Sequence, residues 1–349
     1  MKVLITGNLG YVGSVLTRFL ANQYPEIEIL GYDIGYYGQS LTDTDCSPEI
    51  GLSVQYFKDI RKIEKSILQG VDAVVHLAGI SNDPIGQQFE LVTEEINRKA
   101  TLKLAKIASL AGVKNFVFAS SCSMYGEAGK KARKETDQTN PLTAYAKSKI
   151  GSEQDIQKED LGNMIFTSLR FGTACGWSNR LRLDLALNDF VACAITSGEI
   201  SVLSDGSPWR PLIDVQDMCR AIIWSLLREV DNGGKFLAVN VGKNSSNYQI
   251  KEIAYTVSKL IPGTSVKINT NASPDNRSYT VDFNLFEKLA PNYQPKISLE
   301  QSIINLKNGL NKIEFNDRNF RNSHLMRLNT LKKHISNDRL DKNLCWKSF

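Results

Sequence analysis

Short apolar runs alternate with amphipathic stretches through the N-terminal half of the chain. Residues 3–6, 27–32, 54–57, 73–77 and 116–119 are apolar and of strand length. Between them, the stretch from Tyr11 and residues 94–111 carry apolar positions at helical spacing. Strands that alternate with helices build βαβ units, so the pattern predicts an α/β protein whose doubly wound parallel sheet is covered on both faces. Asn140 and Pro141 supply a start signal for a helix from about Ala144, and residues 164–170 read as the next strand. The sheet is therefore expected to extend to about residue 170.

Beyond that point the pattern is irregular. Gly-, Ser-, Asn- and Pro-containing stretches at 172–180, 204–211 and 271–277 separate shorter elements. The expectation is a first domain over 1–170 and a smaller C-terminal domain over 171–349, with segments near 213–241 returning to the first. A length of 349 residues suits one large domain and a smaller companion.

Composition changes this picture little. Hydrophobic content of 42% and charged content of 23% are those of a globular protein. No apolar run approaches the roughly 20 residues of a membrane span, so no membrane partner is expected. The opening MKVLITGNLG ends in glycines, not in a signal-peptide cleavage site. Six cysteines lack CxxC spacing and the three histidines do not cluster with them, so neither zinc, any other metal, nor a disulfide framework is expected. Together these features predict a cytoplasmic location. Residues 312–349 hold nine basic against four acidic residues, which accounts for the formal +5 of the chain. A solvated amphipathic helix is the expected form of this basic tail, and nucleic acid is not an expected partner.

The first chemistry-bearing motif is Thr6-Gly7-Asn8-Leu9-Gly10-Tyr11-Val12-Gly13, which follows a predicted strand and opens a predicted helix. Glycines at such a turn permit positive φ and let backbone approach a pyrophosphate, which the exposed N–H groups and the helix dipole stabilise. Asp33 stands 20 residues after Gly13 at the end of the second strand. A carboxylate there accepts both ribose hydroxyls of NAD and repels the 2′-phosphate of NADP, so the expected cofactor is NAD on a Rossmann-type sheet.

The GxxGxxG spacing resembles that of the short-chain dehydrogenase/reductase superfamily. Asp59 and Ile60 resemble its adenine-contacting dipeptide. His76-Leu77-Ala78-Gly79 resembles the end of its fourth strand, and Asn97 falls at its helix asparagine. For Asp59 a helix N-cap is an equally good reading. The resemblance further implies Ala119 and Phe171, near the ends of the fifth and sixth strands, as cofactor contacts.

Tyr145 and Lys149 lie four apart on a predicted helix and so project from one face. A second such pair, Tyr255 and Lys259, has no comparable context and is read as a coincidence. The first opens the helix leading to the sixth strand, and 24 residues before Tyr145 the fifth strand ends in Ser120-Ser121-Cys122-Ser123-Met124-Tyr125-Gly126. A tyrosinate that takes a proton from a sugar hydroxyl needs its pKa lowered from about 10 toward 7, about 4 kcal/mol of preferential stabilisation. A neighbouring ammonium supplies much of this, and a serine hydroxyl orients the reacting oxygen.

In this order the motifs resemble the extended branch of the superfamily, typified by UDP-galactose 4-epimerase and the nucleotide-sugar dehydratases. The resemblance selects Ser121, four before the Tyr-Gly tyrosine, as the partner of Tyr145 and Lys149. It implies a nucleotide-diphosphate sugar as substrate, with Ser121, Cys122, Ser123 and Thr173 lining the sugar site. Arg210 is implied as the arginine on the nucleotide phosphates, with Asn188 and Arg277 as lesser candidates, and bracing of a loop stays open for Arg210. Arg180 and Arg182 are read equally well as solvent-facing or interface charges. It also implies a homodimer formed through the helices near Glu94 and Tyr145.

Within that branch the shared first step is hydride removal from the sugar C4 to NAD. A 4,6-dehydratase carries Asp-Glu after the catalytic Ser or Thr, where this chain has Cys122 and Ser123, so dehydration is disfavoured. Cys122 is three residues before Tyr125, not the two usual in 3,5-epimerases, and packing is the simpler role for it. The reading is therefore an NAD-dependent C4 epimerase, with a C4 dehydrogenase or 4-ketoreductase second. A dinucleotide-binding sensor or RNA-binding protein is a third class, favoured by the basic tail alone and opposed by the intact Ser121, Tyr145 and Lys149.

Overall fold

The computed structural model describes residues 1–42, 46–127, 131–272 and 277–347. Strands β1 (Lys2–Thr6), β2 (Glu28–Asp33), β3 (Val54–Phe57), β4 (Ala73–His76), β5 (Asn115–Ser121) and β6 (Ile165–Phe171) form a parallel sheet. Its seventh strand comes from residues 236–241. Three short strands intervene in sequence, β7 (Thr173–Cys175), β8 (Glu199–Val202) and β9 (Trp209–Asp214), so the seventh strand is β10 (Phe236–Val241), paired with β6. The spatial order is β10-β6-β5-β4-β1-β2-β3.

Strand periodicity explains how the sheet is covered. Along β1, Leu4 enters one core while Val3 and Ile5 enter the other, and Val74 of β4 and Phe116 and Phe118 of β5 alternate with Ala73, Val75 and Val117 in the same way. One face is closed by helices Ala100–Leu110 and Ala144–Gln157, the other by Tyr11–Gln23 and Val215–Leu227. The order of the strands reverses between β1 and β4, which opens a crevice at their carboxyl ends.

A smaller layer sits over that crevice. Strand β9 lies between β7 and β11 (Asn247–Gln249), β8 pairs with β12 (Ser265–Ile268), and helices Ala186–Thr196, Ile250–Leu260 and Leu299–Lys312 complete a third core. Of the loop expected at 271–277, residues 273–276 lie outside the described residues.

Three local expectations change. The helix expected over residues 94–111 begins at Glu90, after a short helix Asp83–Gln88, and passes through a π turn, Glu94–Lys99, before Ala100. The helix carrying Tyr145 is capped by Thr143, whose Oγ1 accepts from the Ala146 N–H, not by Asn140. The basic tail is not simply solvated. Its helix Arg327–Ser336 exposes Lys332 and Lys333 but buries Arg327, Leu331 and His334, and Leu331, Leu340 and Leu344 join the core under β2. Residues 327, 331 and 334 share one helical face, which turns toward Tyr36, Tyr37 and the core. Among the described residues no helix is long and apolar enough to cross a membrane.

Candidate active site

The carboxyl ends of β1, β2, β4, β5 and β6 and the smaller layer enclose a cavity of about 790 Å³. At its floor Gly7 has φ of 77°, and a Cβ there would lie 2.6 Å from the Ala78 nitrogen. Gly13 sits against the backbone of Gly7 and Asn8, so the first helix approaches the strand as closely as a side chain would forbid. No side chain caps that helix at Gly10, and Gly10, Tyr11, Val12 and Gly13 line the cavity, so the positive end of the helix is available to an anion.

Asp33 ends β2 on the same cavity. Its carboxylate accepts from the N–H groups of Leu9 (3.1 Å) and Gly35 (2.7 Å); burial raises its pKa while these amides oppose the rise. Leu9 is itself buried off the cavity and contributes only this N–H. Asp59 lines the cavity with Ile60, and its carboxylate caps the following turn through the Arg61 N–H and pairs with the Arg61 guanidinium.

Leu77, Ala78 and Gly79 continue the wall. Asn97, in the π turn, does not line the cavity. Its side chain accepts from the Ile80 N–H (2.7 Å) and donates to the Ile80 carbonyl and the Ser148 hydroxyl, tying the loop after β4 to the helix of Tyr145. His76, the last residue of β4, is buried. Thr101 spends its proton on the Asn97 carbonyl, so His76 Nε2 donates to Thr101 and Nδ1 accepts from Thr6, each at 2.7 Å. Burial and the nearby Lys149 push the imidazole down to about 3. The unfolded chain thus binds the extra proton below about 6.5. The stability this site contributes is complete above that pH and is lost as pH falls toward about 3. NMR of the His76 ring is expected to show no titration between pH 5 and 8; a midpoint near 6.5 would overturn this reading.

The wall of the cavity continues through Ala119, Ser121, Tyr145, Lys149 and Phe171. Tyr145 and Ser121 line the cavity side by side, close enough for the Ser121 side chain to lower the Tyr145 pKa, and the Ser121 hydroxyl accepts from the Ser123 N–H at 3.1 Å. The Lys149 ammonium donates to the Ala119 carbonyl (2.7 Å) and lies 5.8 Å from the centre of the Tyr145 ring. Burial raises Tyr145 to about 12, opposed by Ser121, and lowers Lys149 to about 8. The second pair is unlike this one: Tyr255 is 54% exposed on the helix Ile250–Leu260.

Farther along, Ser123, Thr173, Arg210 and Arg277 line the cavity. Tyr279 lies close enough to Thr173 for that side chain to lower its pKa, the Arg210 guanidinium lies over the Tyr279 ring at 5.6 Å, and Arg277 pairs with Asp83 at 3.0 Å. Two residues assigned to this end lie elsewhere. Cys122 is fully buried in a core with Met124 and Tyr125 and donates to the Arg170 carbonyl. Asn188 is fully buried, with its amide on the Gly176 N–H and the Gly176 and Arg182 carbonyls. Arg180 and Arg182 are likewise buried, not solvent-facing, each on a carboxylate, Glu49 and Asp184.

Sequence reasoning missed the support behind the cluster. Glu153, one turn beyond Lys149, accepts from Ser120 (2.6 Å) and Ser168 (2.7 Å) and pairs with Arg170 (2.7 Å). Its i+4 spacing from Lys149 was the available signal.

Fold and cavity together define a dinucleotide-dependent α/β enzyme. A family model described as the NAD dependent epimerase/dehydratase family matches residues 3–242. UDP-glucuronate 4-epimerase of Thermodesulfobacterium geofontis is 23% identical over 312 residues, 86% of this chain and 93% of that protein. UDP-glucuronic acid decarboxylase 1 of Arabidopsis thaliana is 25% identical over 315 residues, 87% of this chain and 68% of that protein. A solved UDP-glucose-4-epimerase from Stenotrophomonas maltophila, with bound NAD and formylated UDP-arabinopyranose, superposes with a TM-score of 0.76 at 21% identity, covering 90% of this chain and 99% of that one. The chain belongs to the NAD dependent epimerase/dehydratase family; it is an enzyme and NAD is its cofactor.

Proposed function

We propose that the protein is a C4 epimerase of nucleotide-diphosphate sugars. The observation that carries this reading is the joining of Ser121, Tyr145 and Lys149 to a glycine-floored dinucleotide cradle in one cavity that runs on to Arg210 and Arg277. The cradle fits NAD because Gly7 and Gly13 leave no room for side chains and Asp33 presents its carboxylate for two hydroxyls.

In this reading Tyr145 takes the proton of the sugar C4 hydroxyl while Ser121 holds that oxygen. NAD, when bound, supplies the acceptor and then the donor of the C4 hydride. Lys149 stabilises the tyrosinate form of Tyr145 that exists before the step, and the proton Tyr145 takes up from the hydroxyl is the one it later returns. Return to the other face of the 4-keto sugar completes inversion. Arg210 and Arg277 offer forked cations to the nucleotide's diphosphate. Among the relatives, a UDP-glucuronate 4-epimerase supports this reaction.

A C4 dehydrogenase or 4-ketoreductase uses the same groups and is the second reading. The test is to incubate the purified protein with UDP-, GDP-, CDP- and dTDP-sugars, following 340 nm absorbance and identifying products by NMR. A C4 epimer without net NADH is the expected result; a keto sugar with one NADH per turnover would replace the epimerase by the dehydrogenase.

A further inference from the structure

We infer that Arg327, brought by the C-terminal segment, is a cofactor-binding residue: it supplies a cation for the NAD pyrophosphate, and the segment behind it straps the adenosine end of the site. This rests on the reading of Gly7 to Gly13 and Asp33 as the dinucleotide cradle. The segment lies beyond the stretch matched by the family model, which ends at residue 242.

Arg327 is 1% exposed yet lines the cavity. Its guanidinium lies over the Tyr37 ring at 4.4 Å and donates through Nη2 to the Arg180 carbonyl (2.9 Å), while Nη1 is buried with no hydrogen-bond partner. The neighbouring guanidinium groups each have a carboxylate, Arg180 in Glu49 and Arg182 in Asp184 at 2.9 Å, although Arg180 Nε is also buried without a hydrogen-bond partner. Among the described residues no carboxylate is in direct contact with Arg327, and Asp184 and Asp33 act on it only through space. Burial, with Arg182 beside it, lowers its pKa to about 10. A buried cation with no carboxylate in contact is costly, and an anion delivered into the cavity would lower that cost.

Two diphosphates enter such a cavity, and the surroundings favour the cofactor's. Tyr37 follows Asp33 by four residues, and Arg327 is among the cations that lower the Asp33 pKa. The cations of the sugar-nucleotide end, Arg210 and Arg277, are grouped instead with Tyr279 and Asp83.

The segment is fastened at the ends of β2 and β3, beside the cavity residues Asp33 and Asp59. The Trp346 indole donates to the Ile34 carbonyl (2.7 Å), Arg61 donates to the Asn343 carbonyl (2.8 Å), and the Tyr36 hydroxyl donates to the Leu344 carbonyl. His334 bonds the Tyr36 carbonyl at 3.0 Å and meets the Trp346 ring edge-on. Release of the adenosine end therefore competes with contacts that close over it.

The experiment measures NAD dissociation from full-length protein, by chasing bound NAD with labelled NAD, in wild type, Arg327→Gln and Trp346→Ala. UDP and dTDP affinities are measured on the same samples. Loss of one charge-assisted contact is expected to speed NAD release by about tenfold or more in Arg327→Gln, with nucleoside diphosphate affinity unchanged. Trp346→Ala, a change at the surface, is expected to speed release by a smaller factor and decides the matter if Arg327→Gln does not fold. Release at the wild-type rate in both variants, or a loss of nucleoside diphosphate affinity in place of NAD retention, would overturn the inference alone. A wild-type chain that binds no NAD would overturn the cradle reading with it.

Discussion

Replacing Tyr145 by phenylalanine is expected to lower kcat by about 10²- to 10⁴-fold, the range for removal of a general acid–base group, while NAD content and fold stay as they are. The hydroxyl lies beside Ser121 on the cavity, so its removal leaves the ring's packing intact. The chemistry loses more. In the protein alone burial holds Tyr145 at about 12, and the groups that oppose burial are few: the Ser121 side chain first, then the charge of Arg182. With the Lys149 ammonium 5.8 Å from the ring, the site concentrates positive charge where a tyrosinate would form. No other described tyrosine combines a serine partner with that lysine. Tyr255→Phe is the matched control, because Tyr255 is exposed on another helix, and its rate is expected to stay within twofold of wild type, in line with surface substitutions. Single-turnover product formation followed by NMR separates the two; a loss below about tenfold in Tyr145→Phe would remove Tyr145 from the chemistry.

The N-terminal half was legible because its signals are local. Each strand of the sheet's middle is an apolar run whose alternate residues face two different cores, as Leu4 and its neighbours Val3 and Ile5 show. The glycines and Asp33 mark a turn and a strand end that few other residues satisfy. What escaped depends on contacts between distant parts of the chain. Arg180 is buried because Glu49, 131 residues away, meets it, and nothing in its own neighbourhood announces this. The tail helix was correctly read as amphipathic, but which of its faces is wet is decided by Tyr36 and the core under β2. Asn188 has a plausible residue type for a substrate contact, yet its amide is occupied by the backbone of Gly176 and Arg182. Periodicity also hides the π turn at Glu94–Lys99, since one widened turn leaves the apolar spacing on both sides nearly unchanged.

Glu153 and Arg170 carry the largest expected effect on stability. Glu153 is 3% exposed, and its two oxygens receive the Ser120 and Ser168 hydroxyls and two nitrogens of Arg170, which reaches on to the Tyr125 hydroxyl at 3.2 Å. Ser120, Ser168 and Arg170 converge on this one carboxylate, so removing Glu153 takes that partner from three buried groups at once. Glu153→Gln keeps the shape but takes the counter-charge from buried Arg170, and it is expected to cost about 3–5 kcal/mol. Arg170→Met, which strands Glu153 instead, belongs in the same range. The double variant Glu153→Gln/Arg170→Met carries neither charge and is expected to lose clearly less than the sum of the singles, the mark of direct coupling. Urea unfolding of the four proteins measures all three quantities; additive losses, or singles below about 1 kcal/mol, would show that the pair is not coupled as drawn. The same network bears on the reaction, because Ser120 adjoins Ser121 and Glu153 raises the pKa of Lys149 against its burial. In Glu153→Gln, Lys149 therefore titrates at a lower pH, and the fall in kcat that follows loss of its ammonium is expected to begin at a lower pH than in wild type. A merely structural role for Glu153 would lower the rate without moving that profile.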